Sequence, residues 1–303
     1  MKAADPRDHA RRRYEVRHTT TYTYTDDVTA SYARACLRPR DTEAQTVLDN
    51  EIRIDPAPDA FTEHVDLFGN FSHYVEVHAP HRILVVAKRT VLAVERPAPD
   101  LDALDRWTVS APAEATGEDP TLLAAYRLPS GLVDLGPQVR AYAEHVMPAQ
   151  APLGRALAAL VTAIHADFRY AAGATDVHTT LPELLELRAG VCQDFAHLAI
   201  GCLRSMGMPA RYVSGYLETV PPPGQARLLG ADATHAWVSV RLPDGHWLDL
   251  DPTNDCAADS RYVVTSWGRD YSDVAPLKGV IFTEGATASL QVNVDVTRLD
   301  EGV

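Results

Sequence analysis

From Tyr14 to about Glu95 the chain alternates apolar and polar residues in short runs rich in Thr, Tyr, Val and Ile. The runs are HTTTYTYT (18–25), EIRID (51–55), SHYVEVHA (72–79) and RILVVAKRTVLAVE (82–95). A period of two sends successive side chains to opposite faces of a strand, and Pro56, Pro58, Gly69 and Asn70 separate the runs as turn residues. The pattern predicts an antiparallel β sheet or small sandwich over residues 10–96. Between Arg96 and Gly136 the periodicity gives way to Pro, Asp, Ala and Gly, and 97–136 reads as a linker with few helical turns before Pro120.

The period then changes. Leu153, Leu157, Leu160, Val161, Ile164 and Phe168 fall at helical intervals within 137–168, and Leu181 to Arg188 adds a shorter helix. In 190–207 the apolar residues Phe195, Leu198, Ala199, Cys202, Leu203 and Met206 repeat at i, i+3, i+4 and i+7, which predicts a helix buried along one face and ending near Gly207. Strand-like runs follow at 210–218, 234–242 and 246–251, and a last one at 288–299 that either sheet could accept. The expected fold class is α+β: an N-terminal antiparallel β domain, a mixed core over 137–275 and C-terminal strands over 276–303.

The helix beginning near Gly190 puts Cys192 in its first turn. Unpaired N–H groups and the positive end of the helix dipole stabilise an anion there, so a thiolate is favoured. The thiolate is the nucleophilic form, and a free cysteine titrates near ~8.5, so such a position brings cysteine toward reactivity at neutral pH. A cysteine that merely starts a helix as a small buried residue is the plainer alternative. Cys202, on the apolar stripe, takes that plainer reading outright.

The runs 234–242 and 246–251 are joined by Pro243, Asp244 and Gly245, a turn sequence that predicts an antiparallel hairpin. With those three residues as the loop, paired positions sum to 488. Asp251 then lies opposite Trp237, and His235 shares Trp237's face. His235 and Asp251 would sit diagonally on neighbouring strands, ~7–8 Å apart at the backbone, within side-chain reach. A two-residue loop would shift the register by one and send Asp251 to the other face. A carboxylate on one ring nitrogen fixes the tautomer and leaves the other nitrogen to face a thiol. Asp249, on the same face as Asp251, is the nearest competitor, and a satisfied strand histidine followed by a turn aspartate is the bland alternative.

Taken together, GVCQDFAHL (190–198), RSMGMPARYVSGYL (204–217), HAWVSV (235–240) and DLDPTN (249–254) resemble the transglutaminase-like superfamily of bacteria, with Cys, His and Asp in its order. The β-rich first part is similar to the N-terminal region that precedes this core in bacterial members, so the likeness spans nearly the whole chain. The resemblance implies a papain-like/transglutaminase-like core with Cys192 as nucleophile, His235 as base and Asp251 as orienting carboxylate, and it demotes Asp249. It also implies acyl transfer on a peptide or protein amide through a thioester, completed by an amine acceptor or by water. Gln193, Asp194 and His197 belong to the same motif and are assigned support, not chemistry. The backbone N–H of Cys192 is one expected oxyanion donor. Tyr170 is a candidate for the second, with an aromatic core role as its alternative.

Composition narrows the alternatives. A net charge of −13 without a basic stripe gives no electrostatic basis for binding nucleic acid. The longest apolar runs fall well short of the ~20 residues that span a bilayer, and no secretory leader precedes the first strand, so a cytoplasmic protein without membrane association is expected. Cys36, Cys192, Cys202 and Cys256 show no paired spacing of a disulfide framework or metal site, and 249–255 lacks the glycine and terminal Glu of a calcium loop; no cofactor is expected. An arylamine N-acetyltransferase-like activity would use the same trio but needs a basic pocket for coenzyme phosphates. A catalytically silent peptide-binding module is the alternative outside enzymes. The segment 221–232, leading into His235, reads as an exposed connection or a lid.

Overall fold

A computed structural model describes residues 1, 9–111, 119–219, 234–285 and 288–300. The segment 221–232 lies outside them. The architecture is mixed α and β, with a curled antiparallel sheet at the N-terminal end and an α+β core behind it.

The first sheet is organised by one long strand, β1 (Arg12–Ala35), whose buried and open positions alternate as its Thr/Tyr/Val pattern predicts. It is joined by β2 (Gln45–Asp55), β3 (Ala60–Val65), β4 (Phe71–Val77) and β5 (His81–Val94) in the order β2-β5-β1-β4-β3. Two strands from the far end of the chain return to it: β13 (Lys278–Thr283) pairs with the second half of β1, and β14 (Ala288–Leu299) pairs with Arg13–Tyr24. The run at 288–299 therefore completes the first sheet, bringing Val294 and Val296 against Tyr14, Val16, Leu92 and Val94. Periodicity could not decide this, because the choice depends on contacts across more than 250 residues of chain.

The described residues of 97–136 are packed despite their composition. They carry a 3-10 turn (Asp102–Arg106) and α1 (Pro120–Ala125), capped by the Asp119 side chain on the Thr121 N–H. Leu104, Val109, Leu123, Tyr126 and Val133 are all buried. The core then follows as α2 (Pro137–Val146), α3 (Leu153–Asp167), β6 (Arg169–Tyr170), α4 (Leu181–Leu187), β7 (Ala189–Gly190) and α5 (Cys192–Ser205). β6 and β7 form a short parallel pair. A five-stranded antiparallel sheet has the order β11-β10-β9-β8-β12, from β8 (Ala210–Leu217), β9 (Thr234–Arg241), β10 (Trp247–Asp251), β11 (Cys256–Ala257) and β12 (Tyr262–Gly268). The last helix, α6 (Tyr271–Val274), follows β12.

The helix α5 is enclosed on all sides, between β8 and β9 and the helices α2, α3 and α4, and every residue from Asp194 to Ser205 is buried. The apolar stripe alone predicted one buried face. Its polar residues are buried at a desolvation cost that hydrogen bonds offset. Arg204 donates to the carbonyls of Ala210 (2.9 Å), Leu128 (3.0 Å) and Arg269 (2.7 Å), while His197 Nε2 accepts the Tyr271 N–H at 3.2 Å. A helix fixed so completely holds its first residue in a defined place.

The two sheets meet along β12, the edge strand of the core sheet. Its outer backbone groups pair with two buried side-chain amides from the first sheet and its turns. Gln45 takes the Val264 N–H and gives its amide proton to the Val264 carbonyl, both at 2.8 Å. Asn70 does the same for Trp267, at 3.0 and 2.8 Å. Each amide imitates a residue of a neighbouring strand, so the exposed row of an edge strand is satisfied without one.

Candidate active site

Cys192 is the first residue of α5 and is partly buried. The extended backbone of Val191 (φ −120°, ψ 179°) ends the β7 strand and opens the helix. Asp194, at the third helical position, accepts the Val191 N–H at 2.8 Å and the Thr175 hydroxyl at 2.6 Å, closing the turn that carries Cys192. Burial raises the Asp194 carboxyl above its ordinary range against those two bonds. Gly190 is required sterically: a Cβ there would lie 2.7 Å from Asp194 Oδ2 and 3.0 Å from Leu184 Cδ1.

The hairpin has the register that its turn residues predict. Trp247 pairs with Arg241, Leu248 with Val240, Asp249 with Ser239 and Leu250 with Val238, and the Leu242 N–H meets the His246 carbonyl at 2.8 Å. The sum of 488 holds throughout. His235 and Asp251 consequently share a face, and His235 Nε2–H donates to Asp251 Oδ2 at 2.7 Å. Nδ1 is thereby left free of Asp251, and the Cys192 sulfur lies close enough to act on the same imidazole, being among the groups that raise its pKa. Asp249 is engaged elsewhere: it is ion-paired with Arg96, so it does not compete for His235.

Asp251 is fully buried and satisfied by five donors. Oδ1 accepts the N–H groups of Thr253 (2.8 Å) and Asn254 (3.2 Å), and Oδ2 accepts His235, the Asn254 amide (2.6 Å) and the Tyr262 hydroxyl (2.7 Å). Burial pushes the carboxyl up, but His235 and these donors outweigh it and hold Asp251 below its ordinary range. Burial likewise pulls His235 down, yet the Asp251 carboxylate and the Cys192 sulfur raise the imidazole to about 10. The ring is flanked by Trp237, near-parallel at 6.1 Å, and by Tyr262 at 6.0 Å. A largely enclosed imidazole bonded to a carboxylate and beside Cys192 is thus kept in its charged form.

Tyr170 stands on β6 with Gly190 as its partner across the parallel pair, and its ring meets Phe195 edge-on at 6.3 Å. It is more than half exposed, which departs from an aromatic core role. Burial of its hydroxyl end, followed by the charges of Cys192 and Asp194, raises its pKa and keeps it a donor. Gln193 and Asp194 complete the first turn of α5, and His197 lies in the interior beyond it. Motif reading did not single out Tyr262 or Asn254 as partners of Asp251; only Asn254 had a signal, through its place in DLDPTN. Among the described residues no group of three or more His, Cys, Asp or Glu side chains is placed to hold a metal ion.

Known proteins resemble this chain along nearly its whole length. Residues 14–92 match the bacterial transglutaminase-like N-terminal region, and residues 140–252 match the transglutaminase-like superfamily. An uncharacterized protein of Mycobacterium tuberculosis is 43% identical over 94% of this chain and 92% of its own length. The chain belongs to the transglutaminase-like superfamily. A second uncharacterized member, from Mycobacterium leprae, is 34% identical over 95% of this chain and 99% of its own. A protein-glutamine gamma-glutamyltransferase of Pseudomonas aeruginosa is 34% identical over 40% of this chain and 19% of its length. The crystal structure of a candidate cysteine protease from Cytophaga hutchinsonii superposes with a TM-score of 0.77, covering 97% of this chain and 93% of that one at 20% identity, which establishes the shared transglutaminase-like fold.

Proposed function

We propose that this superfamily member is a cysteine-dependent acyl-transfer enzyme in which Cys192 is the nucleophile, His235 the general base and acid, and Asp251 the residue that orients and charges the histidine. The observation that carries the reading is the hydrogen bond from His235 to a buried, five-fold satisfied carboxylate, with the helix-terminal Cys192 sulfur acting on the same imidazole. The substrate class is a peptide or protein amide, with an amine as a second substrate where transfer is completed.

Cys192 Sγ attacks the carbonyl carbon, and the C–N bond breaks as His235 passes its proton to the leaving amine, leaving a thioester on Cys192. An incoming amine or water then attacks the thioester, gives its proton to His235 and releases the sulfur. During both steps the carbonyl oxygen gains charge. The N–H of Cys192, at the start of α5, and the protonated Tyr170 hydroxyl are the donors proposed to receive it.

The reading is tested by intact-mass analysis after brief exposure to an activated aryl ester and to a glutamine-containing peptide. The expected result is one acyl group on the peptide containing Cys192, released by hydroxylamine and absent from Cys192→Ala. A chain that stays unacylated by both donors, while folded, would support the silent binding module instead.

A further inference from the structure

The proposed triad leaves unexplained why the first sheet is fastened so closely to β12. That strand supplies Tyr262, whose hydroxyl donates to Asp251 Oδ2 at 2.7 Å and whose ring is fully buried against Trp237 (5.3 Å, edge-on). We infer that Tyr262 is a positioning residue for the Asp251–His235 pair, and that the N-terminal sheet acts on the site through it, by fixing β12 with Gln45 and Asn70.

The geometry is continuous. Gln45 holds Val264, two residues from Tyr262 along the strand, and Asn70 holds Trp267 across the irregularity in pairing at Val264–Ser266. At the near end, the Tyr14 hydroxyl donates to Glu218 at 2.8 Å and lies 3.2 Å from the Ser260 carbonyl, and Arg12 is ion-paired with Glu218 at 2.6 Å. Val263 packs among Tyr14, Val16, Leu92 and Val94 of the first sheet. The strand is thus pinned before, beside and beyond Tyr262 by residues of β1, β2 and the β3–β4 turn.

The hydroxyl of Tyr262 has one proton, and it goes to Asp251. Cys256 Sγ, 3.3 Å from the same oxygen, is left to donate its thiol proton to it. The other charges nearby are Asp259 and Arg261, which form a two-pronged ion pair with each other and offset one another. Tyr262 shares Oδ2 with His235 and Asn254, so its presence sets both where that oxygen sits and how much charge remains for the imidazole. A hydrogen bond to the charged form favours it, and losing one raises the carboxyl's pKa.

The inference rests on the triad reading for its importance, but its test does not depend on acyl transfer. The ring nitrogen shifts of His235, followed by NMR through the acid titration of Asp251, report the pair directly. In Tyr262→Phe the Asp251 midpoint is expected to rise by about one pH unit, the worth of one hydrogen bond to a carboxylate. Gln45→Ala and Asn70→Ala should each raise it by about half as much, and by nothing further in the Tyr262→Phe background, since residues acting through one another are not additive. A midpoint unchanged in Tyr262→Phe, with near-ultraviolet circular dichroism verifying native packing, would overturn the role of Tyr262. Equal shifts from Gln45→Ala in both backgrounds would overturn the part assigned to the N-terminal sheet. Failure of Cys192 to acylate, with these shifts intact, would count against the triad reading alone.

Discussion

At the scale of single residues, the site depends on two groups whose ionisation is moved in opposite directions from a common cause. His235 is raised to about 10 although burial opposes it, and Asp251 is lowered although burial opposes that too. A raised imidazole contributes stability that is fully present below its ordinary 6.5 and lost as pH climbs through about 10. A lowered carboxyl contributes stability present above its ordinary 3.8 and lost as pH falls through the depressed value. The pair therefore stabilises most between those ordinary values. Urea unfolding of Asp251→Asn against the wild type should show a deficit of about 3 kcal/mol near pH 5–6, the usual scale for breaking a buried pair. The deficit should shrink toward pH 3 and toward pH 10. A deficit independent of pH would mean that the substitution costs packing rather than charge.

At the scale of elements, much was legible because turn chemistry and period act locally. Pro243-Asp244-Gly245 determined a register, the register determined a face, and the face brought His235 to Asp251. The apolar repeat after Gly190 likewise located α5 and Cys192. Gln45, Asn70 and Tyr262 were not legible as supports of the site, because each acts through the folded backbone. Gln45 on Val264 and Asn70 on Trp267 are separated by about 200 positions, and a polar residue in a strand or turn looks the same whether it faces water or another backbone. The return of β14 to β1 was hidden for the same reason. Glycine supplies the element-scale prediction. Gly215 pairs with His235 across β8 and β9, and a Cβ there would lie 1.9 Å from the Val263 carbonyl and 2.7 Å from Trp237 Cη2. Gly207, just beyond α5, has open space but a φ of +83°. Denaturant midpoints should show Gly207→Ala costing about 1 kcal/mol, as ordinary backbone strain does. Gly215→Ala should cost about 3 kcal/mol or more, since backbone must move. Similar costs at the two positions would contradict the close packing of β8 against β12.

At the scale of the whole molecule, the chain joins a sheet built around one 24-residue strand to a core whose buried helix presents a thiol at its first residue. Its other three cysteines provide an internal contrast. Burial pushes the Cys36 thiol up, raises Cys256 to about 11, and drives Cys202 higher still. None of them combines a helix start with an imidazolium. The most direct measurement is alkylation of all four cysteines by iodoacetamide across pH 5–9, quantified by mass spectrometry in the wild type and in His235→Ala. Cys192 alone is expected to be modified rapidly below pH 7, and His235→Ala to slow it at least tenfold there. Modification of Cys192 no faster than an ordinary thiol, or unaffected by loss of His235, would contradict the thiolate–imidazolium pair proposed for the centre of the site.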